Sequence, residues 1–344
     1  MAKLSQRSRL ETEVLGEAGW QDRLDRLPGY SFFATPTWGR ILSEAGLGYR
    51  SQALEFTLEG RRALLPLVSR DDRLGRTLHQ SSAFGTYGGL VPLDGDGDIS
   101  SSQLGAEVAR RFQATPRFGL LIAYPGPRPH FPMPVVFDRY EAHVIDLQQE
   151  PDDRMLEAMR PKTRQYIRKA ERDGVHVRSG ESSEGFQAYY RLLEASSRRW
   201  GRANPGKPWT LFDAIQRLCA EGDVRLWMAH VGDEPVAGLV CFYGKGEVFA
   251  WSAALDERYV ATRANYLLHW RAIADAAGRE FRVFNLGSNE GLAGVRWFKE
   301  GLGTQPRTYP AYVVAGRAYG AAFWAWRKAR SAVAALRSIK GLRR

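Results

Sequence analysis

VRLWMAHVGDEPVAGLVCFYGKGEVFAWSA, residues 224–253, is the stretch whose reading decides the fold. Three runs rich in β-branched and aromatic residues are separated by Gly232-Asp233-Glu234 and by Gly244-Lys245-Gly246. Short glycine-containing turns between such runs make an antiparallel meander. A helical pattern follows from Tyr266 to Ala277, then the strand FRVFNL, a Gly-rich loop, WFKEGLG and a last strand near Tyr309 to Val314. An earlier region repeats part of this order more faintly. SQALEFTLEGRRALLPLVSR, residues 51–70, reads as a hairpin turning at Glu59 and Gly60, and the strands GLLIAY and EAHVIDL come later. The expectation is α+β: two related halves joined near residues 150–160, each a mixed sheet flanked by helices. DGDGDISSS, residues 94–102, reads as a surface loop, because it lacks the ligand spacing and terminal glutamate of a calcium loop.

At the junction stands RPKTRQYIRKAERDGV, residues 160–175, with six Lys and Arg against two acids. Read as a helix, Arg160, Arg164, Arg168 and Arg172 fall four apart and form one ridge. Leu156, Met159, Thr163, Ile167 and Ala170 gather on a neighbouring face, as in a helix that packs inward. Pro161 suits its first turn and Gly174 its end. Such a ridge on an ordinary surface helix is simply solvated. Like charges four apart nevertheless destabilise a helix by a few tenths of a kcal/mol per pair, which an anionic ligand would offset.

Over 344 residues the chain is 44% hydrophobic and 25% charged, ordinary for a soluble globular protein of two domains or one large one. The formal charge of +11 suggests nucleic acid until it is divided along the chain. Residues 301–344 hold nine Lys and Arg and no acid, leaving +2 for residues 1–300. The tail from residue 317 reads as a basic helix, which points to packing, to contact with an anionic membrane surface, or to RNA phosphates. The N-terminal stretch has no apolar secretory core and no long apolar run follows, so a cytoplasmic location is expected, with peripheral membrane association through the tail as one of the tail's readings. Cys219 and Cys241 sit among apolar neighbours as small hydrophobes, and the six histidines never pair with Cys or carboxylate at metal spacing. No metal site is expected. Neither a nucleophile elbow nor a P-loop nor a dinucleotide fingerprint occurs, so serine hydrolysis, nucleotide hydrolysis and hydride transfer are unsupported.

RxxIRKAxxxGV from Arg164, WxAAxxxRYxxxRANYLLxW from Trp251, FNLG at 284–287 and WFKEGLG at 297–303 succeed one another in order and spacing. Together they resemble the Fem (FemAB-like) family of aminoacyltransferases that build peptidoglycan cross-bridges, and equally the wider GNAT-type acyltransferases of that fold. The resemblance runs mainly over residues 160–310, with fainter echoes in SFFATPTW and SSAFGTYGGL. It implies two tandem GNAT-like domains: residues 1–150, partly degenerate; residues 151–316, with the transfer site; and a basic helical tail, 317–344. It implies transfer of an activated carboxyl group onto an amine. The donor is aminoacyl-tRNA in the Fem branch, with tRNA as partner, and acyl-CoA in the GNAT branch. The acceptor is an anionic envelope precursor, and no cofactor is bound permanently.

Carried onto this chain, the resemblance places acceptor recognition on Arg160, Arg164, Tyr166 and Arg168, where arginine's planar donors suit phosphate and carboxylate. Lys299, with Phe298, matches the family's Phe-Lys motif at the transfer site, where a mobile point charge would steady the developing oxyanion or a donor phosphate. Without the motif, Lys299 would read as a surface lysine beside a core phenylalanine. Arg263 and Asn265 precede a helix at the junction that binds coenzyme A pyrophosphate in GNAT folds. TRAN replaces the usual glycine-rich loop there, and Asn265 alone would read as an N-cap. Tyr259, near the same strand end, is the third donor-side candidate. Asn285 stands where related sequences often have Asp and cannot act as a base. Glu290 and the glycines of LGSNEGLAG line a cleft or merely turn the backbone, and Tyr87, Gly88 and Gly89 present backbone to the acceptor or serve a tight turn. The leading reading is acyl transfer from aminoacyl-tRNA to an envelope precursor. Its alternatives are acyl-CoA-dependent N-acylation of an amino sugar or small amine, and a noncatalytic RNA- or membrane-binding protein. The enzyme reading predicts that Lys299→Ala stops turnover with the fold intact.

Overall fold

The computed structural model describes residues 10–71, 77–81, 83–94, 103–113, 118–122, 136–147, 152–180, 182–199, 203–289, 291–315 and 325. The tail apart from Ala325, residues 95–102 of the acidic loop, and Glu290 lie outside them. The first half runs β1 (Glu11–Leu15), α1 (Glu17–Asp25), α2 (Pro36–Glu44), β2 (Arg50–Leu58), β3 (Arg61–Asp71), β4 (Thr77–Gln80), the short β5 (Val91–Pro92), α3 (Gln103–Gln113), β6 (Phe118–Ile122) and β7 (Val136–Asp146). Two helices join the halves, α4 (Asp152–Ala158) and α5 (Pro161–Arg172). The second half runs β8 (Val175–Gly180), α6 (Ser183–Arg199), α7 (Trp209–Leu218), β9 (Val224–Val231), β10 (Glu234–Tyr243), β11 (Glu247–Leu255), α8 (Ala264–Gly278), β12 (Val283–Ser288), α9 (Ala293–Gly301) and β13 (Gln305–Ala315). Leaving aside β5 in the first half and α9 in the second, each half reads strand, two helices, three strands, helix, strand, and then one more strand. The faint repeat in the sequence is thus a repeat of topology.

The thirteen strands of the described residues form one sheet in the order β1-β2-β3-β4-β6-β13-β7-β12-β11-β10-β9-β8, with β5 beside β3. Each half holds one parallel pair, β4 with β6 and β11 with β12. The last strand of each half then crosses over. β7 pairs with β12 of the second half, β13 pairs with β6 of the first, and β7 and β13 pair with each other. The halves have therefore exchanged a strand, and the chain boundary near residue 150 is not a boundary in the sheet.

Alternation along the strands divides the core between two faces. On one face an aromatic cluster draws on both halves: Phe32 stacks on Phe242 at 4.9 Å, Phe33 meets Phe249 edge-on at 5.2 Å, and Tyr87 meets Phe249 at 5.0 Å. The echo motifs SFFATPTW and SSAFGTYGGL belong here. Tyr87 is buried in the cluster, and a Cβ at Gly88 would lie 2.2 Å from the Ser81 carbonyl oxygen. Gly88 is needed for close packing and Tyr87 for core volume, neither of which the tight-turn reading included. On the other face Ile145, Phe284 and Leu286 pack with residues of α5 and α8. α5 buries Thr163, Ile167 and Ala170, the face read from its 3.6 period, and Gly174 follows it at φ +77°. No helix among the described residues is long and apolar enough to cross a membrane.

Candidate functional site

β11 and β12 pair over three registers only, ending at Phe249↔Asn285. Beyond that point β11 continues against β10 to Leu255, while β12 shifts its register against β7 between Asn285 and Ser288. The parallel pair is open at the carboxyl ends of its strands, where open α/β sheets take their ligands. Asn285 closes the neck of this opening. It is fully buried; its Nδ2 donates to Glu247 Oε1 at 2.9 Å and its Oδ1 accepts from the Gly287 N–H at 2.8 Å.

Lys299 lies over the end of β12. From α9 its Nζ donates to the carbonyls of Leu286 at 2.6 Å, Gly287 at 3.2 Å and Ser288 at 2.7 Å, and the residue is 8% exposed. An ammonium has three N–H donors, and each has a backbone acceptor here. The expected mobile point charge is instead a buried clamp on the stretch where the β12 register breaks. Sequence alone could not show this, because the acceptors are carbonyls, which leave no trace in residue identity.

Around that clamp three helices bring together most of the residues singled out above. The Phe298 ring meets Tyr266 at 4.9 Å and His269 at 5.0 Å, and Tyr266 meets Tyr166 at 4.9 Å. The Arg263 guanidinium sits 4.4 Å from the Tyr166 ring centroid, and Lys162 Nζ sits 5.3 Å from the same ring. A continuous stack thus runs from α5 across the start of α8 to α9. Arg263 adopts φ +62° as the residue before α8 and caps it with no side-chain bond. Asn265 is not the N-cap: it lies inside the first turn, where its carbonyl accepts from His269 Nδ1 at 2.8 Å. Arg160 joins the cluster from the other side. It donates to Glu300 at 2.7 Å and to the Trp297 carbonyl at 3.3 Å, and its guanidinium stands 5.6 Å from the Trp297 ring. Hydrogen bonds from Arg296 first, then Arg160, hold the Glu300 carboxyl below its usual range.

The ridge does not act as one unit. Arg164 turns back to donate to the Glu157 and Met159 carbonyls, both at 2.7 Å, tying α5 to α4. Arg168 is exposed, with no hydrogen bond or ion pair among the described residues. Tyr259 is separate from the cluster, its hydroxyl donating to Glu234 at 2.7 Å on the β9–β10 hairpin. Sequence reasoning passed over Lys162, Tyr266, His269 and Trp297. The i,i+4 pair Lys162–Tyr166 and the i,i+3 pair Tyr266–His269 were the available signals.

His269 is buried 4% exposed, and desolvation, aided by the Lys299 charge against the Asn265 bond, pushes its pKa down to about 4. It is neutral in the native protein. Between pH 6.5 and 4 the unfolded chain takes up this proton and the folded chain does not, so stability falls as pH falls through that window. The shift corresponds to about 3 kcal/mol. His143 and His230, both lowered chiefly by burial, add to the same slope. Urea unfolding at pH 7 and pH 4.5 is expected to show a clear loss of stability for the wild type and a smaller one for His269→Gln.

Residues 157–299 match the family model of the Acetyltransferase (GNAT) domain. The matched segment begins in α4, takes in the whole stack and the open strand pair, and ends on Lys299; both exchanged strands fall outside it. Among solved structures, FemX shares the fold with a TM-score of 0.60 at 12% identity, over 87% of this chain and 96% of its own. A conserved protein of unknown function from Bacteroides thetaiotaomicron gives 0.55 at 11%, over 89% and 99%. A C-terminal DUF2156 domain from Agrobacterium fabrum gives 0.52 at 12%, over 90% and 95%. No curated protein matches the chain. At these identities the likeness is one of fold, and it extends over both halves.

Proposed function

We propose that this protein is an acyltransferase that moves an activated aminoacyl group from aminoacyl-tRNA onto the amine of an anionic cell-envelope precursor. The observation that carries the reading is the Arg263–Tyr166 stack, 4.4 Å across the start of α8 and beside the open end of β11 and β12. A coenzyme A pyrophosphate bound in the usual manner of this fold would use bare N–H groups of a glycine-rich turn at that helix start. Here a left-handed arginine covered by a tyrosine occupies the turn, and the positive charge comes from the side chains of Arg263 and Lys162. Such charges suit the backbone phosphates of a large donor. On the acceptor side, Arg168 is the ridge arginine left exposed to meet an anion, whereas Tyr166 covers Arg263, and Arg160 and Arg164 act mainly by fixing α5 against α9 and α4.

A second reading, acyl-CoA-dependent N-acylation of an amino sugar or small amine, draws on the match to an acetyltransferase domain. Transfer of radiolabel from alanyl-tRNA and from acetyl-CoA to a nucleotide-linked muramyl pentapeptide separates the two. Product from alanyl-tRNA is expected. Arg263→Ala and Tyr166→Ala should each raise the donor KM tenfold or more, about 1.4 kcal/mol, with little change in melting temperature. Product from acetyl-CoA alone would install the second reading, and product from neither would leave the noncatalytic binding protein.

A further inference from the structure

Acyl transfer onto an amine needs a proton acceptor, and the described residues of the second half do not offer one at the open strand pair. The Asn285 amide is spent on Glu247 and Gly287, the Glu247 carboxylate is buried beside it, and His269 Nδ1 bonds a carbonyl behind Phe298. The exchanged strand β7 brings in what is missing. Its Ala142 pairs with Ser288 at the open end of β12, so Glu141 and His143, two apart and on one face, flank that end.

His143 is fully buried and held from two sides. Thr304 Oγ1 lies 3.2 Å from its Nδ1, and Glu141 Oε1 and Asn289 Nδ2 each lie 3.4 Å from its Nε2. The Asn289 Nδ2 only donates, and its Oδ1 already accepts from the Gly291 N–H, so the hydrogen-bonded tautomer accepts on Nε2 and donates its own proton from Nδ1 to Thr304 Oγ1. The ring is neutral, because burial first and then the Lys299 charge lower its pKa. The Glu141 side chain, by contrast, is 33% exposed. One of its oxygens lies against the buried neutral ring, which Asn289 and Thr304 hold in place, and its carboxylate is open to a ligand. The charged groups around this pair are Lys299, Arg296 and Glu300, all on α9.

We propose that Glu141, carried into the second half's sheet by the exchanged strand, is the catalytic base that takes the proton from the attacking amine, with His143 and Thr304 as positioning residues. The inference rests on the acyl-transfer reading above. In the step, the amine nitrogen bonds to the donor's carbonyl carbon and the donor's ester C–O bond breaks, or its C–S bond if the donor is a thioester. The amine's proton passes to the Glu141 carboxylate and from there to the departing oxygen or sulfur, giving an amide and an alcohol or thiol. The active centre is thereby completed by the half of the chain that the GNAT match leaves out.

Single-turnover transfer from alanyl-tRNA and from acetyl-CoA to the muramyl pentapeptide amine, measured across pH for wild type, Glu141→Gln, Glu141→Ala and His143→Gln, tests this. Glu141→Gln should slow transfer about 100- to 10,000-fold, the usual range for a lost general base. The donor KM should stay within about twofold and the rise of rate with pH seen in the wild type should vanish, neither of which a merely structural role predicts. Added formate should restore part of the Glu141→Ala rate, and His143→Gln should lower kcat with KM unchanged. A Glu141→Gln enzyme with the wild-type rate and pH profile overturns the assignment and leaves the acyl-transfer reading standing. A wild type that transfers from neither donor overturns both.

Discussion

A fragment comprising residues 151–344 will show no cooperative unfolding transition, although it contains the whole GNAT match and its own helix-flanked strands. The reason is the exchange of strands. Cutting at residue 150 removes β7 from beside β12 and strips β13 of β6 as well as β7, so the central four strands of the sheet lose three of their pairings. The same cut removes Phe32, Phe33, Trp38 and Tyr87 from the aromatic cluster that covers Phe242, Phe249 and Trp251. Each large side chain buried there contributes about 1.5–3 kcal/mol, and Val144 and Ile145 of β7 leave with them. The six together, about 9–18 kcal/mol, are as large as the roughly 5–15 kcal/mol by which a typical domain is stable. The fragment should therefore bind a hydrophobic dye and show no sharp near-ultraviolet signal. Co-expressed with residues 1–150 it should regain both order and solubility, since the missing pairings need proximity rather than chain continuity. A sharp, reversible melt from 151–344 alone would mean that the exchanged strands contribute little.

What could be read from the sequence divides along the same line. The β9–β11 meander was legible because its turns and its alternation are local, and α5 because a 3.6-residue period needs no partner to be seen. The order of elements in the two halves was legible as a faint repeat. Strand exchange was not, because a β7 segment that reads EAHVIDL carries no mark of whether it will lie beside β6 or beside β12. The candidate site shows the same division. Tyr166, Arg263 and Phe298 lie in one aromatic and cationic cluster, while Tyr259 and Arg164 have nearer partners, a hairpin glutamate and the end of the preceding helix. Glu141 and His143 meet Asn289, Thr304 and the end of β12 across about 150 residues of chain. No local pattern encodes a contact of that span.

Lys299→Met is expected to destabilise the protein by about 3 kcal/mol or more, since three buried carbonyls lose their donor, as well as stop transfer, which revises the expectation that substitution here would leave the fold intact. The substitution keeps most of the side chain's volume but removes the donor shared by three carbonyls. A buried acceptor that loses a charged donor costs about 1–3 kcal/mol. The end of β12, already irregular where its register against β7 shifts, has no neighbouring strand to take up the loss on the β11 side. Lys299→Arg should help little, because a planar guanidinium cannot aim three donors at carbonyls of three successive residues as an ammonium can. Urea unfolding of the variants, read beside amide exchange at Leu286, Gly287 and Ser288, separates clamp from charge. Loss of stability together with faster exchange at those three amides marks the clamp, through which Lys299 keeps the open strand pair in shape for Glu141 on one side and the donor on the other. Unchanged stability with turnover abolished would instead make Lys299 a charge presented to the substrate, and its three carbonyl bonds a resting arrangement that the ligand displaces.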